Sequence, residues 1–575
     1  IFFFLRSCRM DSPEGTKRVK RTRKSSLLLG GARKSERSSE KLFEFFFVVG
    51  TTPDNQPITL FKYPEDKEVP YESEVLRFSL PEGAQKRKVQ KSGSCTSLNE
   101  LLFGQLSDFE RTSNSFIFVL NCGEKLLYGV CVLSEELEDY KPSFITKSPA
   151  DIVTGGDSPV QRALNPKQRL LGKKSVTSLL RSYCIISQFP FFREHFGVIY
   201  SILAHERLYT LQVTTAVLSD KRSIPLSKSK GKADENFAEE LLSDYHKIIV
   251  PEATQARFCM IGPDCSHEIT LTSGSDLQWI SRWAIPCLFR ELSLSDILGF
   301  YTALLCEKKI IVVSRSPGVL SGIILSVIPL LYPLVWQGPL ITILPSVLNE
   351  LLESPVPLII GMKELPEEKG DWNDPLIIDM NSNIVTFPSI TKLPKLPEHK
   401  KLLEEVSVFY NKFQSGNSNS KNSLRKCTKE EIRTVDDIMD TFRRYNMQLL
   451  DTDLIHHIGA SETGEKELTN IVKQFPKNFQ PLYNELVVTQ QFAVHATEVK
   501  LELEEHNSEM GSTLTKLEQM IKDTTKERAD VMAEISQLRS KLKRIETRLS
   551  TLQASKAKLN DDASYRSSPL RHTKH

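Results

Sequence analysis

Cys259, Cys265 and His267 form the densest group of metal-ligand side chains in this 575-residue chain. A structural zinc site needs four such ligands at close spacing, and no fourth stands near these three. Phosphate chemistry finds no better footing. A phosphate-cradling loop needs GxxxxGK followed by Ser or Thr, but Gly172-Lys173-Lys174 and Gly231-Lys232-Ala233 lack both the upstream glycine and the hydroxyl. No GxGxxG follows a strand pattern, which removes the signal for a dinucleotide cofactor. In Gly318-Val319-Leu320-Ser321-Gly322 the serine stands one place late for a nucleophile elbow. His456-His457 has no acidic or thiol partner at ligand spacing and reads as a surface pair. The residues thus point to no bond-making site, no metal and no cofactor.

The strongest physical signal lies elsewhere. From Ser316 to Asn349 there are 34 residues without a charged side chain, in a chain that is 26% charged. A membrane span needs about 20 apolar residues that stay helical. Here Pro317, Pro329, Pro333, Pro339 and Pro345 interrupt the run, and each removes an N–H that hydrocarbon could not replace. Short buried elements fit better: strand 309–314, helix 318–331, strand 340–344, short helix 346–353 and strand 357–361. Strands this apolar are covered on both faces, as in parallel α/β sheets.

The words within this stretch carry a resemblance. Glu307-Lys308-Lys309 leads into an apolar strand and a small-residue helix. Leu330-Leu331-Tyr332-Pro333, Trp336-Gln337, Ile343-Leu344-Pro345 and Ser354-Pro355-Val356-Pro357-Leu358-Ile359-Ile360-Gly361 then follow in order. This order resembles the central segment of DENN domains, proteins that activate Rab-type small GTPases by promoting GDP release. Upstream, Arg181–Phe192 (RSYCIISQFPFF) resembles the strand-then-helix that ends the upstream DENN lobe. Leu42–Gly50 (LFEFFFVVG) resembles its opening strand, and Phe116–Leu120 with Leu126–Leu133, the latter holding Tyr128-Gly129-Val130, resembles a hairpin. The likeness covers roughly residues 40 to 410, and more faintly the helices to about 500. It implies an α/β, two-lobed module: a longin-like upstream lobe and a central lobe with a largely parallel sheet. Of the polar residues in the matching words, Glu307, Lys308, Lys309, Arg315, Asn349 and Glu353 are the candidate GTPase contacts.

The elements that must position these residues can be laid out along the chain. Residues 1–41 carry 12 Lys or Arg against 4 Asp or Glu, a local +8, while the whole chain is only +3. Nothing global calls for nucleic acid. The cluster Lys17–Lys24 suits anionic lipid headgroups, a nuclear-import signal or a solvated disordered arm. Residues 42–218 form the expected upstream lobe, with polar inserts at 82–98 and 141–174, a helix over 191–208, and a charged linker at 219–236. Residues 237–413 form the central lobe. In it a helix capped by Ser293 or Ser295 runs through Cys306, a hairpin pairs 376–380 with 384–387, and a helix covers 396–413. A Ser/Asn/Gly linker, 414–422, leads to a downstream helical region at 428–500, with helices at 432–450 and 466–475 and a long one from Pro481.

From Leu514 a heptad holds for 46 residues, and 11 of its 14 seam positions are apolar. Leu517, Ile521, Val531, Ile535, Leu538, Leu542, Ile545, Leu549 and Leu552 are its oligomerisation candidates, flanked by Lys, Glu and Arg. A stripe sustained over six heptads reads as a coiled coil, 501–560, before a polar tail at 561–575. The ten cysteines, scattered and without a CxxC pair, fit a reducing, cytoplasmic setting. Two functions remain open. One is a guanine-nucleotide exchange factor for a Rab-type GTPase, peripheral on endomembranes or vesicles and acting in membrane trafficking. The other is a non-catalytic adaptor or tether that keeps the scaffold and recruits partners through its coiled coil.

Overall fold

A computed structural model describes residues 41–83, 86–90, 114–122, 125–137, 142, 144–145, 175–218, 237–415, 424–450 and 471–565, apart from 53, 252–254, 368, 369, 371 and 391. The basic arm up to residue 40, almost all of the insert at 141–174, the linker at 219–236 and His456-His457 lie outside the described residues. The described residues fall into two units, one ending at Thr497 and one beginning at Glu498.

Strands β1 (Phe45–Thr51), β2 (Pro57–Tyr63), β3 (Lys86–Gln90), β4 (Ser115–Cys122), β5 (Lys125–Leu137) and β6 (Ser175–Ser187) form one antiparallel sheet, ordered β2-β1-β6-β5-β4, with β3 also paired to β6. Strand β3 lies inside the expected polar insert. Its lone apolar residue, Val89, shows no period-two pattern, and the pairing comes from the unusual length of β6. Both faces of the sheet are covered. Ile117, Val119, Tyr128, Val130 and Tyr183 join the core on one face. On the other, Phe118 stacks on Phe78 of helix α1 (Glu72–Ser79) at 5.8 Å. Gly129 explains itself here: a β-carbon would sit 2.1 Å from the Phe118 ring.

Helix α2 (Phe192–Leu218) covers the first of these faces and runs ten residues past its expected end. Helices α3 (Phe237–Lys247) and α4 (Asp276–Glu291) follow in sequence, with the small hairpin of β7 (Arg257–Ile261) and β8 (His267–Leu271) between them. All of these pack back on the upstream core. Phe43 stacks on Tyr245 at 5.2 Å, and Phe191 meets Trp279 at 4.1 Å. The Tyr245 hydroxyl bonds His195 Nδ1 at 2.8 Å. Burial holds His195 neutral, its pKa down to about 3 despite the Phe189 carbonyl beside it. Residues 237–284 therefore share one hydrophobic core with the sheet that precedes the linker.

Helix α5 (Leu294–Leu305), capped by Ser293, leads into the second sheet. Strands β9 (Ile310–Val313), β10 (Leu340–Ile341), β11 (Ile359–Met362), β12 (Leu376–Asp379) and β13 (Ile384–Thr386) take the order β10-β11-β9-β12-β13, parallel except for the last pair. Most of the uncharged run is its interior, as the period and prolines indicate, while Ser346, Val347 and Asn349 at its end are exposed. The expected helix over 318–331 is instead two, α6 (Pro317–Leu325) and α7 (Val327–Leu331). Pro329 has no N–H to give the Leu325 carbonyl, so the ladder breaks between them. Among the described residues no helix is long and apolar enough to cross a membrane.

Helices α8 (His399–Ser415) and α9 (Lys429–Leu449) pack on this sheet's helices. The carboxamide of Asn446, buried on α9, donates to the Leu330 and Tyr332 carbonyls at 2.9 Å each and accepts from the Tyr301 hydroxyl. It thereby satisfies carbonyls stranded where α7 ends against Pro333. The long helix expected from Pro481 is divided into α10 (Gln480–Leu486) and α11 (Gln490–Tyr565). Thr489 causes the division, since its hydroxyl accepts from the Phe492 N–H and starts a new helix. Helix α11 reaches Tyr565, five residues into the expected tail.

At the start of α9, Glu431 sits between Arg290 (2.8 Å) and Arg425 (2.6 Å), and Arg290 and Glu431 are each about nine-tenths buried. Burial alone would raise the Glu431 pKa. The Thr428 N–H and the two guanidiniums outweigh it and hold the carboxyl at about 2. Its stabilisation is therefore complete above the ordinary carboxylate range and disappears as pH falls from about 4.5 towards 2. Glu431→Ala strands a buried Arg290 charge, with an expected cost of about 3–5 kcal/mol. Urea unfolding at pH 7 measures this, and the gap to the unsubstituted chain should close as the pH approaches 2.

Candidate functional site

Parallel α/β sheets hold their functional surfaces at the carboxyl ends of the strands, where the strand order turns. Here β9 has neighbours entered from opposite directions, β11 on one side and β12 on the other. The segments leaving these three strands meet at one edge. Arg315, after β9, donates its backbone N–H to Asn381 Oδ1 at 2.9 Å, and Asn381 Nδ2 reaches the Lys363 carbonyl, after β11, at 2.8 Å. Asp379 fixes the loop after β12 by accepting from the Asn381 N–H at 2.9 Å and the Ser382 hydroxyl at 2.8 Å. Asn381 thus ties three strand ends into one surface.

The upstream sheet contributes to the same edge. Beyond α1 the chain turns at Pro81–Gly83, where Gly83 takes a φ of +68°. Glu82 of this turn forms an ion pair with Lys363, and the Pro81 carbonyl accepts from the Ser346 N–H at 3.1 Å. Above the edge stands Arg315, 78% exposed, with its guanidinium 3.2 Å from the 67% exposed Glu364. Exposed pairs of this kind contribute about 0–1 kcal/mol, so both charges can change partners at little cost. Gly361, at the close of the SPVPLIIG word, sits beneath this edge. A β-carbon there would lie 2.1 Å from the Thr342 carbonyl oxygen, so the residue serves packing.

The six candidate contacts do not share one surface. Arg315 alone stands on the carboxyl edge. Glu307, Lys308 and Lys309 precede β9, at the opposite end of the strand. Glu307 accepts the Gln490 and Gln491 N–H groups at 2.9 and 2.8 Å and so caps α11. Burial raises its pKa, and those two N–H groups lower it. Lys308 pairs with Glu485 of α10 at 2.8 Å. Lys309 is buried, and its ammonium donates to the Leu352 and Ser354 carbonyls at 3.0 and 2.5 Å. These three hold the downstream helices and the turn that ends the 3₁₀ helix Ser346–Glu353. Asn349 and Glu353 are exposed on that helix.

Sequence reading passed over Glu82, Lys363, Glu364, Asp379 and Asn381. Asn381-Ser382-Asn383 was legible as a hairpin turn; its position at a parallel strand's carboxyl end marks the surface, and that position follows only from the strand order. Cys259, Cys265 and His267 lie in and between β7 and β8, with His267 Nδ1 2.7 Å from the Ser201 hydroxyl. Among the described residues no group of His, Cys, Asp or Glu is placed to hold a metal ion.

If Asn381 is the tie across the edge, Asn381→Ala should free the Arg315 amide. A net hydrogen bond of about 1 kcal/mol predicts roughly fivefold faster hydrogen exchange at that amide. The thermal midpoint should barely move, because the site is exposed. An unchanged exchange rate would remove the role given to Asn381.

Comparison with known proteins places this geometry. The family model of the DENN (AEX-3) domain matches residues 178–383. The MAP kinase-activating death domain protein of Caenorhabditis elegans is 26% identical over 407 residues, covering 62% of this chain and 26% of that protein. The mouse protein of that name is 23% identical over 456 residues, 63% of this chain and 26% of its own length. DENN domain-containing protein 2B of Homo sapiens is 33% identical over 92 residues, 15% of this chain and 8% of that protein. The chain spans about a quarter of the length of the first two and less of the third. From within β6 to the turn before β13, the chain carries a DENN domain and is a DENN domain protein.

Proposed function

We propose that this chain is a guanine-nucleotide exchange factor that binds a Rab-type small GTPase at its switch regions and promotes GDP release. The observation that carries the reading is the DENN match over 178–383, which runs from the upstream antiparallel sheet through the central parallel one. Exchange needs no general base or metal. A protein that binds the nucleotide-free GTPase more tightly than the loaded form must weaken nucleotide affinity by the same factor. Such a surface requires fixed shape and a few charges free to re-pair. The carboxyl edge supplies both, with Asn381 holding the shape and Arg315 and Glu364 supplying the charge. Asn349 and Glu353 remain contact candidates on the exposed face of the 3₁₀ helix, while Glu307 and Lys308 anchor α11 and α10 and Lys309 holds the turn at Leu352–Ser354.

In this reading residues 42–218 are the longin-like upstream lobe, 237–413 the central lobe, 428–500 the downstream helices and 501–560 a coiled coil through which the chain self-associates. The protein works in the cytoplasm, peripheral on vesicles or endomembranes, with the basic arm against anionic lipid. The exposed apolar seam of α11 also favours the alternative of an adaptor that recruits partners without catalysing exchange.

The two readings separate kinetically. The full chain, at one-tenth of the GTPase concentration, should accelerate GDP release from a cognate member of a Rab panel through many turnovers. Arg315→Glu should cut that rate about tenfold or more with an unchanged melting temperature. Stable binding to some of the panel with no acceleration of any would sink exchange and leave the adaptor.

A further inference from the structure

From Lys500 to Lys558 every residue of α11 is exposed, including a continuous stripe of aliphatic side chains. Ile521, Leu542 and Leu552 are each between 59% and 69% exposed. A bare apolar stripe sustained over this length marks an interaction surface. Self-association, part of the functional reading above, says that something covers it. The side chains at the seam say what that is.

The seam extends beyond its obvious start. Counting back by heptads from Leu514 and Leu517 reaches Asn507 and Lys500 at one seam position (a), and Met510 and Leu503 at the other (d). Position a then holds Lys500, Asn507, Arg528 and Lys556 among its aliphatics. Position d holds no charge and no amide, and Thr524 is its one polar residue between Leu503 and Leu559. In an antiparallel pair each a residue faces a d residue, so Asn507, Arg528 and Lys556 would nearly all be buried against aliphatic side chains. In a parallel pair in register each faces its own copy. Asn507 then bonds its equivalent, the arrangement by which a single buried asparagine sets register. Arg528 also lies beside the partner's Glu527.

The flanking charges fit the same arrangement. In parallel register, Glu534 faces the partner's Arg539 and Lys541 faces the partner's Glu546. No like charges meet at any of these flanking positions from Thr513 to Asn560. The charged a residues also favour two strands, since only a pair leaves that position open enough for a long side chain to carry its head to water.

We infer that the stripe on α11 is an interface for a second copy of this chain, forming a parallel, in-register, two-stranded coiled coil fixed by Asn507. The inference rests on the self-association reading and is independent of exchange activity. Light scattering of the full chain should give twice 65.3 kDa. A mass of one chain would overturn both this inference and self-association, and a mass of three or more would overturn two strands. Leu517→Cys and Leu552→Cys, each alone, should give disulfide-linked dimers on mild oxidation, above the level of the unsubstituted chain. Dimers that fail to link at either position would overturn the parallel register while self-association stands. Glu534→Lys should weaken the dimer about tenfold or more, and adding Arg539→Glu should restore it. Failure of that rescue would remove the assigned register.

Discussion

The central sheet of the DENN-matched region depends on the pairing of β9 on both edges. Its four residues are fully enclosed, with β11 hydrogen-bonded on one side and β12 on the other. A strand so held cannot tilt or slide without breaking two ladders, and each ladder carries only four residues. Its two ends therefore act as fixed points. The amino end carries Glu307, Lys308 and Lys309, which grip α11, α10 and the turn at Leu352–Ser354. The carboxyl end carries Ser314 and Arg315, from which the polar edge is built. One short strand thus joins the downstream helices to the candidate contact surface.

The cost of enclosing β9 is that the surrounding apolar run must turn often, and it turns at prolines. Helix ends around this sheet strand carbonyls, and at three of them the fold supplies a long polar side chain from elsewhere in the sequence. Asn446 reaches the end of α7, Lys309 reaches the end of the 3₁₀ helix, and Gln491 donates to the Leu304 and Leu305 carbonyls at the end of α5 at 2.9 and 3.0 Å. These groups are buried because the carbonyls they serve are buried. They link the helical region to the central sheet more specifically than apolar contact could, since a shift of one residue would leave several dipoles unpaired.

This division explains what was legible in the sequence. The strands around β9, the hairpin of β12 and β13, and a serine cap at 293 or 295 follow from local pattern, because period, proline and caps act over a few residues. The break at Pro329 and the new start at Thr489 were also local signals, outweighed by long apolar or helical runs around them. Strand β3 had no such signal. The role of Glu307-Lys308-Lys309 could not be read locally either. Three charges ahead of a buried strand look like a contact surface, and only the position of α10 and α11, nearly 180 residues later, shows two of them engaged by helices and the third by a turn. Asn381 was hidden for the complementary reason: its turn is ordinary, and its importance comes from the strand order.

The polar groups of this domain therefore divide by cost. Arg290, Glu431 and Lys309 are buried and bonded, so moving them would expose an unpaired charge to a low-dielectric interior. Arg315 and Glu364 face water, and separating them costs little. A surface that must favour one state of a partner over another needs groups of the second kind on a frame made of the first, because differential binding is lost if the frame yields before the partner does. The arrangement at the carboxyl edge meets that condition. The inferred parallel α11 pair would add to it without changing it. In the proposed reading, joining two such surfaces would raise their effective concentration for a partner confined to one membrane. In that reading the helices would set how long the protein stays, while the edge beside β9 would set what happens at each encounter.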